Sequence, residues 1–299
     1  MEALAYAVTS PGARVQALAD VARVVAEAGD LDRAEALARA TTDPGTRARA
    51  LTEVAHVAAQ AGDPGRVTRL AADAEALASA ITNKYARARA LTDVARLAAQ
   101  VGDLDRAEAL ARPLTPPNYQ ALALTEVARI AAEAGDLDRA VSLAQAITSP
   151  YDCAQALTAV ARVAAQAGDS DGALRLAADA EAQARTITDP GARTRPLTDV
   201  ARVAAQAGDS DGALRLAADA ETQARTITYP GAQAIALTEV ARVAAEAGDL
   251  DRAVRLAQAI TSPGTRAQLL TQVARMAFQS GDPDRAKHLL VPRPGTLFV

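Results

Sequence analysis

A Gly-Asp pair returns eight times along this chain, at Gly29, Gly62, Gly102, Gly135, Gly168, Gly208, Gly248 and Gly281, with spacings of 33, 40, 33, 33, 40, 40 and 33 residues. No other feature restricts the fold so strongly. A unit of this length cannot bury its own apolar face and has to stack on copies of itself. Forty is thirty-three plus seven, about two helical turns, so the insertion lengthens a helix while nearly keeping its buried face. The added stretch is visible in Arg69-Leu70-Ala71-Ala72-Asp73-Ala74-Glu75-Ala76-Leu77 and falls in the second half of its repeat.

Within each unit the apolar residues keep helical spacing. Eleven residues before each Gly stands a Leu, from Leu18 to Leu270, followed at i+3 by a Val (Val21 to Val273) and at i+4 by an Ala (Ala22 to Ala274). These three positions form one stripe, which the first helix of the unit is expected to bury. Eight residues after each Gly comes a second Leu, from Leu37 to Leu289, with an Ala three residues earlier in every unit except the one carrying Val67. That pair anchors a second helix and lets it approach its neighbour closely. Half of the chain is apolar, yet aromatic residues make up 2% and Trp is absent. Side chains so small suit close packing of helices better than a large globular core, and Ala and Leu favour helix.

Local chemistry marks where these helices start and stop. Asp43-Pro44, Ser149-Pro150, Asp189-Pro190 and Ser262-Pro263 each place a capping side chain before a Pro at the first helical position. The recurring Gly is suited to the left-handed conformation after a helix end, and the Asp that follows it can cap the next helix.

With its helix-turn-helix unit, its Leu and small residue in the first helix and its Gly-Asp-x-Asp-x-Ala turn, clearest at Gly248-Asp249-Leu250-Asp251-Arg252-Ala253, the repeat resembles the tetratricopeptide repeat. Leu stands where that repeat has Trp, Ala replaces its later aromatic residue, and the closing Pro comes about two residues early. The chain is similar to the Ala- and Arg-rich version found in high-GC bacteria such as actinobacteria; only Lys84 and Lys287 interrupt the preference for Arg. The resemblance implies an all-α, right-handed superhelical solenoid of about eight tandem helix-turn-helix repeats of 33 or 40 residues. This single repeat domain is expected over residues 1–291, with a tail over 292–299 stopped by Pro292 and Pro294. Residues 2–11 align with Val254 to Pro263, the end of a second helix, so the chain is expected to begin in mid-repeat as part of a longer protein. Residues 160–188 and 200–228 differ only at Ala182 and Thr222, the mark of a tandem duplication.

Several functions fit poorly. A net charge of −4 and a pI near 5.4 offer no broad footprint for nucleic acid or an anionic membrane. No apolar run nears the roughly 18 residues of a membrane span. Met1-Glu2-Ala3-Leu4 does not open a secretory signal, and a cytoplasmic protein is expected. Catalysis would need a nucleophile, a base and an orienting group, but His56, His288 and Cys153 lie far apart. Each reads first as structural, the histidines as surface residues and Cys153 as a small buried one. Asp169-Ser170-Asp171-Gly172, repeated at Asp209-Ser210-Asp211-Gly212, fails as a calcium loop because Ala173 and Leu174 occupy positions that such a loop needs, and these aspartates read as helix caps. No phosphate-binding Gly loop is present. No cofactor, metal or enzymatic activity is therefore expected.

Six residues before each Gly stands a basic residue: Arg23, His56, Arg96, Arg129, Arg162, Arg202, Arg242 and Arg275. The family resemblance implies that this position faces a concave groove, where a row of guanidinium groups would suit carboxylates or phosphates on an extended ligand. The bland alternative is an intrahelical pair with the acid three residues earlier, as Asp20, Glu53, Asp93, Glu126, Asp199 and Glu239 allow, or a bond to an Asp in a neighbouring turn. Arg162 and Arg275 lack such an acid, with Ala159 and Gln272 in its place. Positions that vary between repeats are the candidates for specificity: Leu122 and Ile235 where other units carry Gln or Arg, Phe278 where others carry Ala, and the loop tyrosines Tyr85, Tyr119 and Tyr151. Phe278 reads first as core. The expected function is a scaffold that binds a protein or peptide, with acidic groups suiting the Arg row. The alternatives are a sensor arm of a larger signalling protein such as a nucleotide-switch ATPase, and a solenoid that self-assembles through uncapped ends.

Overall fold

The computed structural model describes residues 11–260, 262–279, Asp282 and Lys287. The residues read as a mid-repeat start, the final Gly281 turn, Leu289, His288 and the tail at 292–299 lie outside that set. Among the described residues there are fifteen α-helices and no strand.

They alternate between first and second helices of tandem pairs. Up to Ile147 the pairs are α1 (Pro11–Glu27) with α2 (Leu31–Ala40), α3 (Pro44–Gln60) with α4 (Pro64–Ser79), α5 (Lys84–Gln100) with α6 (Leu104–Ala111), and α7 (Pro117–Glu133) with α8 (Leu137–Gln145). From Thr148 they are α9 (Pro150–Gln166) with α10 (Ser170–Thr186), α11 (Pro190–Gln206) with α12 (Ser210–Ala224), and α13 (Pro230–Glu246) with α14 (Leu250–Ala259). The first helix α15 (Pro263–Gln279) follows. The chain divides into two compact units between Ile147 and Thr148.

Every first helix has 17 residues, whereas the second helices fall into two lengths. Those of the longer repeats, α4, α10 and α12, run for 16, 17 and 15 residues; α2, α6, α8 and α14 run for 10, 8, 9 and 10. The seven-residue insertion therefore lengthens the second helix.

The turn between helices of a pair is the same each time. Gly208, at φ +92°, donates its N–H to the Ala205 carbonyl, and Asp209 donates to the Ala204 carbonyl five residues back. This is the paired closure of a Schellman motif, which satisfies carbonyls left open at the helix end. The Asp209 side chain then accepts from the Gly212 N–H at 2.9 Å and caps the next helix. One dipeptide thus ends one helix and starts another. The aspartates of the would-be calcium loop, Asp169 and Asp209, are these caps. The seven Gly residues of this turn that the structure describes all have positive φ.

The predicted stripe forms the core. Leu51, Val54 and Ala55 in α3, and Leu157, Val160 and Ala161 in α9, are fully buried; Leu91 and Leu270 are half-buried. Thr52, Thr92, Thr158 and Thr198, next to the stripe, are buried with each hydroxyl donating to the carbonyl four residues earlier, so none carries an unpaired polar group into the core.

In each unit the first helices pack on one another as well as on their partners: α1 on α3, α3 on α5 and α5 on α7, then α9 on α11, α11 on α13 and α13 on α15. Second helices of successive pairs are joined by long charged side chains. Arg215 on α12 donates two bonds to Glu181 on α10, at 2.8 and 2.9 Å, and Arg139 on α8 reaches Asp105 on α6 at 2.5 Å.

Candidate binding face

Because first helices meet directly within each unit, their outward residues form rows there. Four registers, 13, 9, 6 and 2 residues before the Gly, lie on one helix surface at i, i+4, i+7 and i+11. They hold, in turn, the variable position, the acid, the Arg and a Gln or Glu.

In the unit ending at Ile147 the Arg row is neutralised. Arg96 donates to Asp93 at 3.0 Å, and Arg129 bonds to both Glu126, at 3.1 Å, and Glu133. Arg23 pairs with Glu27 at 2.6 Å, while Asp20 accepts from the Gln16 amide at 3.0 Å. His56 stands 3.1 Å from the Gln60 amide. Glu53, His56, Asp93, Arg96, Glu126 and Arg129 line a charged cavity of about 350 Å3 along α3, α5 and α7. Burial pushes the Asp93 carboxyl above the usual range despite Arg96, Arg89 and Arg49 nearby.

The unit beginning at Thr148 carries fewer acids on the same face. The acid register reads Ala159, Asp199, Glu239 and Gln272, against Arg162, Arg202, Arg242 and Arg275. Arg202 donates to Asp199 at 3.3 Å, to Glu239 at 3.1 Å and to Glu246 at 3.3 Å; Arg242 bonds to Glu239 at 2.9 Å and to Gln272 at 3.3 Å. Among the described residues Arg162 and Arg275 make no hydrogen bond or ion pair. The ladder positions reach carboxylates on their own or the next first helix, not an Asp in a neighbouring turn.

Between α11 and α13 lies a groove of about 510 Å3, lined among others by Thr194, Arg195, Asp199, Ala232, Ile235 and Ala236. Its lining mixes buried Thr194 and Thr198, half-buried alanines and charged side chains. Arg195 is held loosely, 3.8 Å from Asp199, with 73% of its side chain exposed. Asp199 is pushed up by burial, an effect that Arg202, Arg195 and Arg162 offset in part. Thr194, where most other repeats carry Ala, is 3% exposed and its hydroxyl has no partner.

The variable positions stand apart from this polar setting. Leu122 is 51% exposed and Ile235 67% exposed, at the same register of α7 and α13. Tyr85 is exposed, its ring 6.4 Å from that of the half-buried Tyr119 and 5.1 Å from the Lys84 Nζ. Tyr151 is half-buried and its hydroxyl accepts from Gln155 at 3.2 Å. Phe278 is 67% exposed. It is not core, since α15 is the last first helix described and nothing described packs over that edge. Tyr229, which the sequence reading passed over, is 73% exposed at the N-cap of α13 and makes no capping bond. Its signal was available, because a Tyr there replaces the capping Asp or Ser of other repeats.

Cys153 is buried and its thiol is pushed up by that burial, which leaves it poorly nucleophilic. Among the described residues no cluster of three His, Cys, Asp or Glu side chains is arranged to hold a metal ion, and no helix is long and apolar enough to cross a membrane.

No protein-family model matches the chain, and no curated protein matches it. Similar solved structures include Ton1535 from Thermococcus onnurineus NA1, at 16% identity over 97% of this chain and 93% of that one, TM-score 0.41. Another is a signal-transduction ATPase with numerous domains and a tetratricopeptide repeat sensor from Pyrococcus horikoshii, at 14% identity and TM-score 0.40; the match covers 97% of this chain and 50% of that one. A third is a Rap protein complexed with competence and sporulation factor, at 12% identity over 92% of this chain and 95% of that one, TM-score 0.39. At these scores the likenesses add nothing to the fold description, which rests on the helix pairs themselves.

Proposed function

We propose that this chain is a binding protein that captures a protein or peptide on the face made by its first helices and catalyses no reaction. The observation that carries this reading is the exposure of Leu122 in one unit and of Ile235 in the other. In each unit one large aliphatic side chain stands exposed on the first-helix face, at the register where the other repeats place Gln or Arg. Holding an apolar side chain in water forgoes about 1.5–3 kcal/mol of burial for each, which a covering partner would recover. The closely packed first helices supply a rigid platform for it.

The test is site-specific photocrosslinking in a cell lysate, with a photoreactive amino acid placed at Ile235 or at Thr222, an exposed residue on a second helix. Discrete adducts formed from position 235 and absent from position 222 support capture on the first-helix face. Equal labelling at both sites, or none at either, removes the basis for the reading.

A further inference from the structure

The face of the unit beginning at Thr148 carries two different anchors side by side. Arg162 on α9 has Ala159 in place of its acid and makes no hydrogen bond or ion pair among the described residues. Arg195 on α11, largely exposed, lies 3.8 Å from the Asp199 carboxylate, beyond hydrogen-bonding distance. Asp199 feels the field of Arg162, Arg195 and Arg202 together, so these guanidinium groups share one neighbourhood, and Arg202 alone is saturated by carboxylates. One helix further on, the groove between α11 and α13 is lined on the α13 side by the half-buried Ala232 and Ala236 and the exposed Ile235.

Resting on the reading of peptide capture, we propose that this face recognises an extended peptide carrying an acidic side chain and an apolar side chain, the acid held by Arg162 and Arg195 and the apolar group seated in the groove against Ala232, Ile235 and Ala236. Charge complementarity selects the acid. The Arg row exceeds the acid row by two in this unit, and the excess includes Arg162 on α9, the helix packed against α11. Guanidinium groups bind carboxylates in paired hydrogen bonds. Adjacent packed helices lie about 8–10 Å apart and an extended chain advances about 3.3 Å per residue, so the two anchors fall two or three residues apart in the ligand. In the cavity along α3, α5 and α7 the acid register is complete, Glu53, Asp93 and Glu126 standing against Arg96, Arg129 and His56, whereas Arg162 faces Ala159.

The experiment is selection of random 12-residue peptides displayed on phage against the immobilised full chain, followed by fluorescence-anisotropy titration of the enriched peptides. The expected result is enrichment of Asp or Glu two or three residues from Leu, Ile, Val or Phe. Arg162→Gln with Arg195→Gln should weaken those peptides by about tenfold or more, and Ile235→Gln, which installs the residue found at Gln155 and Gln268, should weaken them separately. Both variants place Gln on solvated helix surfaces, and unchanged circular dichroism shows that they fold. Enriched peptides without the acid and apolar pair, or with affinities that ignore both variants, overturn this proposal and leave peptide capture standing. No enrichment at all overturns both.

Discussion

Arg202 on α11 donates to Glu239 on α13 at 3.1 Å, across 37 positions of sequence, while also holding Asp199 at 3.3 Å and Glu246 at 3.3 Å. One guanidinium thus bridges three carboxylates on two first helices. Removing it leaves three half-buried acids close together with their shared cation gone, which costs more than the loss of one isolated surface pair. Arg202→Ala is expected to lower stability by about 2 kcal/mol. Thermal melts at low and high salt check this, since screening should return part of the loss. A variant as stable as the parent would show that the three acids relax into solvent.

Two carboxyls in the same unit predict opposite responses to pH. The hydrogen bonds from Arg215 hold the Glu181 carboxyl below the usual range, so its contribution is present above the unfolded pKa and is lost as pH falls through the folded value. Burial raises the Asp199 carboxyl, so its effect has the other sign: stability is greatest below the unfolded pKa and declines as pH rises through the folded one. Asp199→Asn should flatten the decline just above the ordinary aspartate range, and Glu181→Gln should flatten the acid-side loss. Chemical denaturation at a series of pH values measures both slopes. Slopes left unchanged by either variant would refute the assignment.

Gly208→Ala isolates the conformational cost of the turn. A Cβ at Gly208 meets nothing within 4 Å, so its only penalty is the φ of +92°. The expected loss is about 1 kcal/mol, with Asn in the same place losing less because it tolerates the left-handed region better. Equilibrium unfolding of the two variants checks the order.

The repeat, its two helix lengths and its buried stripe were legible because each depends on residues near one another in the chain. A Gly-Asp turn, a Pro at the first helical position and a Leu-Val-Ala spacing act within a few residues. The ion pairs were only partly legible. Arg96 with Asp93 and Arg242 with Glu239 follow helical spacing. Arg23 instead turns to Glu27, four residues on, and Asp20 accepts from the Gln16 amide. The bonds from Arg215 to Glu181 and from Arg202 to Glu239 depend on how one helix registers against another, which one helix's sequence does not state. Phe278 is 67% exposed rather than core, at a register held by Ala in the other repeats.

Pro196 sits in the interior of α11 at a register where Ala50, Ala90, Ala123, Ala156 and Ala236 stand in other repeats. Its ring has no N–H to donate to the Ala192 carbonyl, and a Pro inside a helix costs about 3 kcal/mol relative to Ala. Part of that cost is offset because the ring is buried and because Pro also restricts the unfolded chain. Pro196→Ala is therefore expected to stabilise the protein by about 1–2 kcal/mol and to raise its melting temperature by several degrees. The residue lies two positions from Thr194 at the groove, so the same variant should be titrated with a groove-binding peptide. A higher melting temperature with unchanged affinity would mark Pro196 as a tolerated defect of the repeat. A lower melting temperature would show instead that the ring's packing outweighs the missing hydrogen bond.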